Sequence, residues 1–65
     1  MSNGKKIAAI LKVFHDEGIE IECHAEHDIL LFCEDNENIY FNEALIVAGA
    51  FFSSEYSCWA TWCSA

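Results

Sequence analysis

The first part of the chain has apolar residues at helical spacing. They fall at positions i, i+3, i+4 and i+7, and they are Ile7, Ile10, Leu11 and Phe14. Residues at this spacing share one face of an α-helix, which is the face that a helix buries. Gly18 stands where such a helix should end, because glycine readily takes the left-handed conformation that closes many helices. The pattern predicts a helix over residues 3–17.

Three apolar runs follow, and they start ten residues apart: Ile19–His24, Ile29–Glu34 and Ile39–Asn42. Short polar segments separate them, which is typical of antiparallel strands in a meander. Symmetric four-residue turns would pair residue 24 with 29 and residue 34 with 39. One face then carries Ile19, Ile21, Cys23, Leu30, Phe32, Ile39 and Phe41. The other face carries Glu20, Glu22, His24, Ile29, Leu31, Cys33 and Tyr40.

The remainder of the chain favours helices. Asn42 can cap a run from Glu43 to Phe52, and two serines can cap a second helix from Glu55 to about Ser64. Aromatic residues and a cysteine in this part also recur at helical spacing, at Phe52, Tyr56, Trp59 and Cys63. We interpret them as core residues. The predicted fold is α+β: an N-terminal helix, a three-stranded antiparallel meander and one or two C-terminal helices, in a single domain over residues 1–65.

The charge and the length of the apolar runs limit the classes of function that the protein can have. Three lysines, no arginine and eleven acidic residues give a formal net charge of −8. Direct nucleic-acid binding is disfavoured, because the phosphate backbone is bound by cations. The longest apolar run, from Ala44 to Phe52, has about half the length that a bilayer requires. We expect no export signal at the start of the chain, since His15 and two acids stand where a cleavage site should be. We therefore expect a cytoplasmic protein.

The acidic residues are segregated from the lysines. Every lysine lies at or before residue 12, and ten of the eleven acids fall between residues 16 and 43. A soluble surface usually mixes both signs, and self-repulsion in a single-sign region reduces stability. We interpret this region as an acidic band that imitates a phosphate backbone and binds a basic surface of another protein. The residues predicted to bind the partner are Glu20, Glu22, Glu26, Asp28, Glu34, Asp35 and Glu37.

The cysteines and histidines have residue types that suit zinc but a spacing that does not. Cys23, His24, His27 and Cys33 lie close together, whereas Cys58 and Cys63 are five residues apart. We expect all four cysteines to be reduced, metal-free and mostly buried, with no metal and no cofactor. The chain also lacks a glycine-rich phosphate loop and a recognisable nucleophile motif. The prediction is therefore a protein that is not an enzyme, with no catalytic residue.

The whole chain resembles the small acidic anti-CRISPR proteins encoded by phages, and it is most similar to inhibitors of the type I-C system. The segments that carry this resemblance are MSNGKKIAAILKVF, IEIECHAEHD and EYSCWATWCSA. We expect a monomer, and the resemblance implies a non-catalytic protein that acts in the cytoplasm of the bacterial host. It would bind the CRISPR RNA-guided surveillance complex, with the large motif-reading subunit as one candidate, and prevent target-DNA binding. Such complexes hold DNA in basic channels that an acidic protein could occupy.

Two other hypotheses stay open at this point. One is a small metal- or thiol-dependent regulator that uses the cysteines and histidines. The other is an assembly module with apolar contacts through Ile29, Leu31, Tyr40 or the segment with Trp59 and Trp62. The metal content of the protein would distinguish the regulator from an inhibitor. The salt dependence of partner binding would distinguish the assembly module from an inhibitor.

Overall fold

The computed structural model describes residues 3–34 and 41–64. The chain forms α1 (Asn3–Asp16), β1 (Ile21–Glu26), β2 (Ile29–Glu34), α2 (Glu43–Val47), β3 (Phe51–Ser53) and β4 (Cys58–Trp62). The four strands make one antiparallel sheet in the order β1-β2-β4-β3. The predicted α+β class and the N-terminal helix are confirmed. Among the described residues, neither helix has the length and apolar character needed to cross a membrane.

Helix α1 is closed by Gly18, the glycine that the sequence indicated, two residues after its last residue, Asp16. Gly18 has a φ of +70°. Its N–H donates to the carbonyl of His15 at 3.0 Å, and the N–H of Ile19 donates to the carbonyl of Phe14 at 2.9 Å. These two bonds satisfy carbonyls that the last turn of a helix leaves unpaired. They also turn the chain back so that Ile19 packs against the core beside Phe14.

A two-residue turn, His27 and Asp28, joins β1 to β2, with Glu26 opposite Ile29. The predicted four-residue turn was wrong, and the register differs by two residues from the predicted one. Side chains on a strand alternate between faces with a period of two. A two-residue shift therefore leaves each side chain of the hairpin on its predicted face.

The predicted third strand, Ile39–Asn42, is wrong where the structure describes it. Its first two residues, 39 and 40, lie outside the described residues. Phe41 is 72 % exposed and outside the sheet. Asn42 instead caps α2, because its side-chain oxygen accepts a hydrogen bond from the N–H of Leu45 at 3.1 Å. The second neighbour of β2 is β4, from the far end of the chain.

The predicted C-terminal helices are also wrong in large part. The first, predicted over Glu43–Phe52, ends at Val47, because Gly49 takes a φ of +104° and closes it. The second, predicted from Glu55 to about Ser64, is replaced by the turn after β3 and by β4. The turn includes Ser57, which has a φ of +56° that a helix cannot accommodate.

The hydrophobic core lies between the two helices and one face of the sheet, which we call the helix face. Trp59 is 1 % exposed and meets Phe52 edge to face, with ring centroids 5.9 Å apart. Phe14 of α1 packs on Phe32 of β2 at 5.9 Å. Burial of large aromatic side chains is the strongest stabilising contribution available to so small a domain. The fully buried members of this core are Ile10, Phe14, Phe32, Leu45 and Trp59.

Candidate protein-binding surface

The side of the sheet away from the helices is the surface on which candidate binding residues collect, and we call it the open face. Strand alternation and the register assign it Glu22, His24, Glu26, Ile29, Leu31, Cys33, Phe51, Ser53, Cys58, Ala60 and Trp62. Within residues 3–34 and 41–64, the buried cluster on this face contains strand residues only. The open face therefore has no helix over it in the described part of the chain.

Acidic side chains occupy the β1 side of the open face. His24 lies midway between Glu22 and Glu26 on β1, two residues from each, and all three side chains are exposed. The imidazole Nε2 of His24 lies 3.4 Å from Oε2 of Glu22. His27 in the following turn has its Nε2 3.8 Å from Oε1 of Glu26. A row of solvated carboxylates along an exposed strand can accept charge-assisted hydrogen bonds from the cations of a partner.

The lysines lie on the other side of the sheet, on α1. Lys12 binds Asp16 within the helix, with Nζ 2.7 Å from Oδ2. That hydrogen bond is the main reason why the pKa of Asp16 lies below its usual value. Lys6 donates from Nζ to the carbonyl of Trp62 at 2.8 Å. The charge segregation seen in the sequence thus becomes a separation between the helix side and the β1 side of the open face.

The rest of the predicted acidic band is divided. Glu20 is exposed just before β1, next to the row of Glu22 and Glu26. Glu34 is half-buried at the end of β2, and it pairs with Ile21 on the helix face. Asp35 and Glu37 lie outside the described residues. The structure therefore brings together Glu20, Glu22 and Glu26, and it separates Glu34 from them.

Asp28 is engaged in holding the end of the chain. Its Oδ1 accepts from the backbone N–H of Ser64 at 3.1 Å, and its Oδ2 accepts from the Ser64 hydroxyl. Its backbone carbonyl accepts from the N–H of Cys63 at 2.6 Å. These two bonds use about half of the acceptor sites of the carboxylate and fix its orientation toward Ser64. Asp28 is thus a structural residue of the turn, whatever else it contacts.

The β3–β4 side of the open face is apolar. Leu31, Cys58 and Ala60 are buried there. Phe51 and Trp62 pack with ring centroids 5.5 Å apart, and the indole of Trp62 is 52 % exposed. The sequence named Ile29, Leu31 and the segment with Trp62 as candidate apolar contacts, but it could not place them side by side because β4 was predicted as a helix. Four successive residues of β4, from Cys58 to Thr61, are buried, so the sequence carries no apolar–polar alternation that could have revealed this strand.

Two cysteines meet across the open face. The Sγ atoms of Cys33 and Cys58 are 3.9 Å apart, and the thiol of Cys33 donates toward Cys58. Burial raises the pKa of Cys58 to about 11, and the neighbouring Cys33 and Glu34 add to the shift. Burial also raises the pKa of Cys23, which lies on the opposite face of the sheet from Cys33. Raised pKa values keep these thiols protonated, which makes them poor nucleophiles at neutral pH.

The four cysteines are free, but the expectation that most are buried is only partly met. Cys58 is buried, Cys33 and Cys63 are half-buried, and Cys23 is exposed. Among residues 3–34 and 41–64, no group of three or more histidine, cysteine or acidic side chains is arranged to hold a metal ion. The pairing of Cys33 with Cys58 therefore leaves a two-thiol contact, without a third ligand in the described part of the chain.

Comparison of the chain with protein-family models, with curated proteins and with solved structures gives no match. The resemblance to anti-CRISPR proteins stays a prediction, and the interpretation of the open face depends on its own geometry and charge.

Proposed function

We propose that the protein is a non-enzymatic inhibitor that binds the type I-C CRISPR surveillance complex of a bacterial host and prevents it from binding target DNA. The observation that supports this proposal best is the position of Glu20, Glu22 and Glu26. These exposed carboxylates follow one edge of the sheet, and the lysines lie on α1 beyond the opposite face. A basic DNA-binding groove that approaches from the open face meets these carboxylates on the side of the sheet away from α1.

The mechanism is occlusion by charge. Carboxylates accept hydrogen bonds from lysine and arginine through the same donor groups that bind phosphate oxygens. The net charge of −8 increases the rate of encounter with a basic surface, which helps an inhibitor to arrive before DNA does. Occupation of the groove by β1 and the residues beside it would exclude the duplex. Binding should weaken steeply with salt, because both surfaces are charged and solvated.

The test is charge reversal at two β1 positions, with a matched control elsewhere. Glu22→Lys with Glu26→Lys changes the net charge by four units, from −8 to −4. Glu43→Lys with Glu55→Lys makes the same change at exposed positions of α2 and the β3–β4 turn. Target-DNA binding by the purified surveillance complex is measured with each variant present. We expect the β1 variant to lose inhibition and the control to keep most of it.

A folded β1 variant that inhibits at the wild-type concentration would contradict the proposal. Equal loss in both variants would show that net charge matters and the location of the charge does not. A thermal melt of each variant separates loss of binding from loss of folding.

The apolar side of the open face supports a second candidate, an assembly module. The observation in its favour is the exposed indole of Trp62 beside Phe51, since large exposed aromatic side chains are enriched at protein interfaces. For this module, Trp62→Ser should abolish partner binding, and salt should have little effect on the affinity.

A further inference from the structure

Strand β1 is an edge strand with an exposed backbone. It stands first in the sheet order, and five of its six residues are exposed. An edge strand presents unpaired N–H and C=O groups to which another strand can be added. Among the described residues, no strand pairs with the outer side of β1.

The register identifies which backbone groups point outward. The N–H of Cys63 donates to the carbonyl of Asp28, so residue 28 faces β4. Backbone groups of successive strand residues point to alternate sides, so residues 29, 31 and 33 face β1. Their partners on β1 are residues 26, 24 and 22, whose backbone groups are therefore engaged with β2. The backbone N–H and C=O groups of Cys23 and Ala25 point away from the sheet.

The side chains beside this edge select against a second copy of the chain. In a two-fold antiparallel pair centred on His24, each Glu22 would stand opposite a Glu26. In a pair centred on Cys23, each Glu20 would stand opposite a Glu26. Like charges directly opposite each other destabilise a strand pair. A strand with lysine or arginine at alternate positions would instead place cations opposite Glu22 and Glu26, with one between them opposite His24.

We propose that β1 is a docking edge for an extended segment of a partner protein that carries lysine or arginine at every second residue. The segment pairs antiparallel with the backbone of Cys23 and Ala25, and its cations contact Glu22 and Glu26 on the open face. Main-chain hydrogen bonds supply part of the affinity, and the alternating charges set the register. This inference rests on the proposed function in taking the acidic side of the open face as the contact surface.

The probe for this edge is a capped heptapeptide with the sequence Lys-Val-Lys-Val-Lys-Val-Lys. When its lysines face the glutamates, its valines share the helix face with Cys23 and Ala25, and the valine amides point toward β1. N-methylation of the three valines removes those donors. N-methylation of three lysines removes only donors on the far side, with the same charge and the same number of methyl groups. Binding to the intact protein is followed by calorimetry and by amide hydrogen exchange.

We expect the lysine-methylated peptide to bind and the valine-methylated peptide to bind at least about tenfold more weakly. The amides of Cys23 and Ala25 should gain protection from exchange only with the peptide that binds. Ala25→Pro removes one outward N–H at an edge position where proline is tolerated, and it should weaken binding. Ala25→Val keeps the N–H and should bind as the wild type does.

Equal binding of the two methylated peptides would overturn strand pairing, and it would leave the acidic surface as a purely electrostatic contact. Failure of all the peptides to bind would also overturn the inference. A dimer that forms through β1 and disappears in Ala25→Pro would assign the edge to a second copy. The inhibition assay with Glu22→Lys and Glu26→Lys is independent of these results, so a failure of the proposed function is recognised separately.

Discussion

On the helix face of the sheet, Phe32, Trp59 and Thr61 are at most 1 % exposed, whereas on the open face Trp62 is 52 % exposed and the row of β1 acids is solvated. The buried hydroxyl of Thr61 on the helix face donates a hydrogen bond to the carbonyl of Gly49 at 2.9 Å. Stability therefore resides mainly between the helices and the sheet. The exposed side chains of the open face, unlike its buried Leu31, Cys58 and Ala60, can change at small cost, which is what a binding surface requires.

The two tryptophans of β4 test this division most strongly. Trp59→Ala leaves a cavity in the core and should reduce the free energy of unfolding by about 3–5 kcal/mol. Such a loss would unfold much of the population of a domain this small. Trp62→Ala removes a half-exposed side chain, and we expect a loss of about 1 kcal/mol. Urea denaturation followed by circular dichroism measures both. Equal losses would show that the open face is part of the core.

The reactivity of the Cys58 thiol measures how well the centre of the open face is shielded from solvent. With a pKa near 11 in place of 9.0, its thiolate is about 100-fold less populated than that of an ordinary cysteine at pH 8. We expect alkylation by iodoacetamide to be slower in the folded protein by at least about this factor than in urea. Peptide mass spectrometry follows the modification of each cysteine, and exposed Cys23 serves as an internal reference.

The raised pKa of Cys58 predicts how the free energy of unfolding changes with pH. The folded pKa of Cys58 lies above its unfolded value, so the folded state retains a proton that the unfolded state loses. The contribution to stability is complete below pH 9 and declines as the pH rises from 9 toward 11. Cys58→Ala should flatten this decline. An unchanged decline in the variant would show that other groups cause it.

Gly18 and Gly49, which follow the two helices, allow the cost of backbone strain to be measured apart from the cost of a steric clash. Gly18 and Gly49 both have positive φ, so alanine is strained at either position. A Cβ at Gly18 meets nothing within 4 Å, whereas a Cβ at Gly49 would lie 2.9 Å from Cδ of Lys6. Gly18→Ala should reduce the free energy of unfolding by about 1 kcal/mol, and Gly49→Ala by about 1–2 kcal/mol. Thermal melts in parallel measure the difference.

Asp28 and Glu26 are neighbouring acids with different expected roles. Asp28→Asn weakens the bonds to Ser64, and we expect the free energy of unfolding to fall by about 1 kcal/mol. Glu26→Gln changes an exposed carboxylate and should alter stability by less than about 0.5 kcal/mol. If Glu26→Gln destabilises the domain as much as Asp28→Asn does, the β1 acids have a structural role instead.

Local patterns predicted the first half of the fold well. The apolar stripe and Gly18 located α1, and strand alternation put Glu22 and Cys23 on their correct faces despite the wrong turn length. The C-terminal part was predicted wrongly because Phe52 and Trp59 have helical spacing by coincidence. Their actual positions depend on β4 pairing with β2, about thirty residues earlier, and no local period reports such a pairing.

The candidate site was predicted in part for a related reason. The charge run located Glu20, Glu22 and Glu26, because an exposed edge strand must carry its charges outward. Sequence position could not show that Asp28 binds Ser64 across the sheet. Strand alternation already put Glu34 on the face of Phe32, but the assumed surface treated every acid in the run as equivalent.

The central claim is that the acidic side of the open face, and not its apolar side, contacts the partner. The most direct measurement compares the affinities of two folded variants for the purified surveillance complex, by calorimetry at low and at physiological salt. We predict that Glu22→Gln with Glu26→Gln weakens binding by about tenfold or more, and that Trp62→Ser binds within about threefold of the wild type. Tight binding by the glutamine variant together with loss of binding by Trp62→Ser would contradict the account.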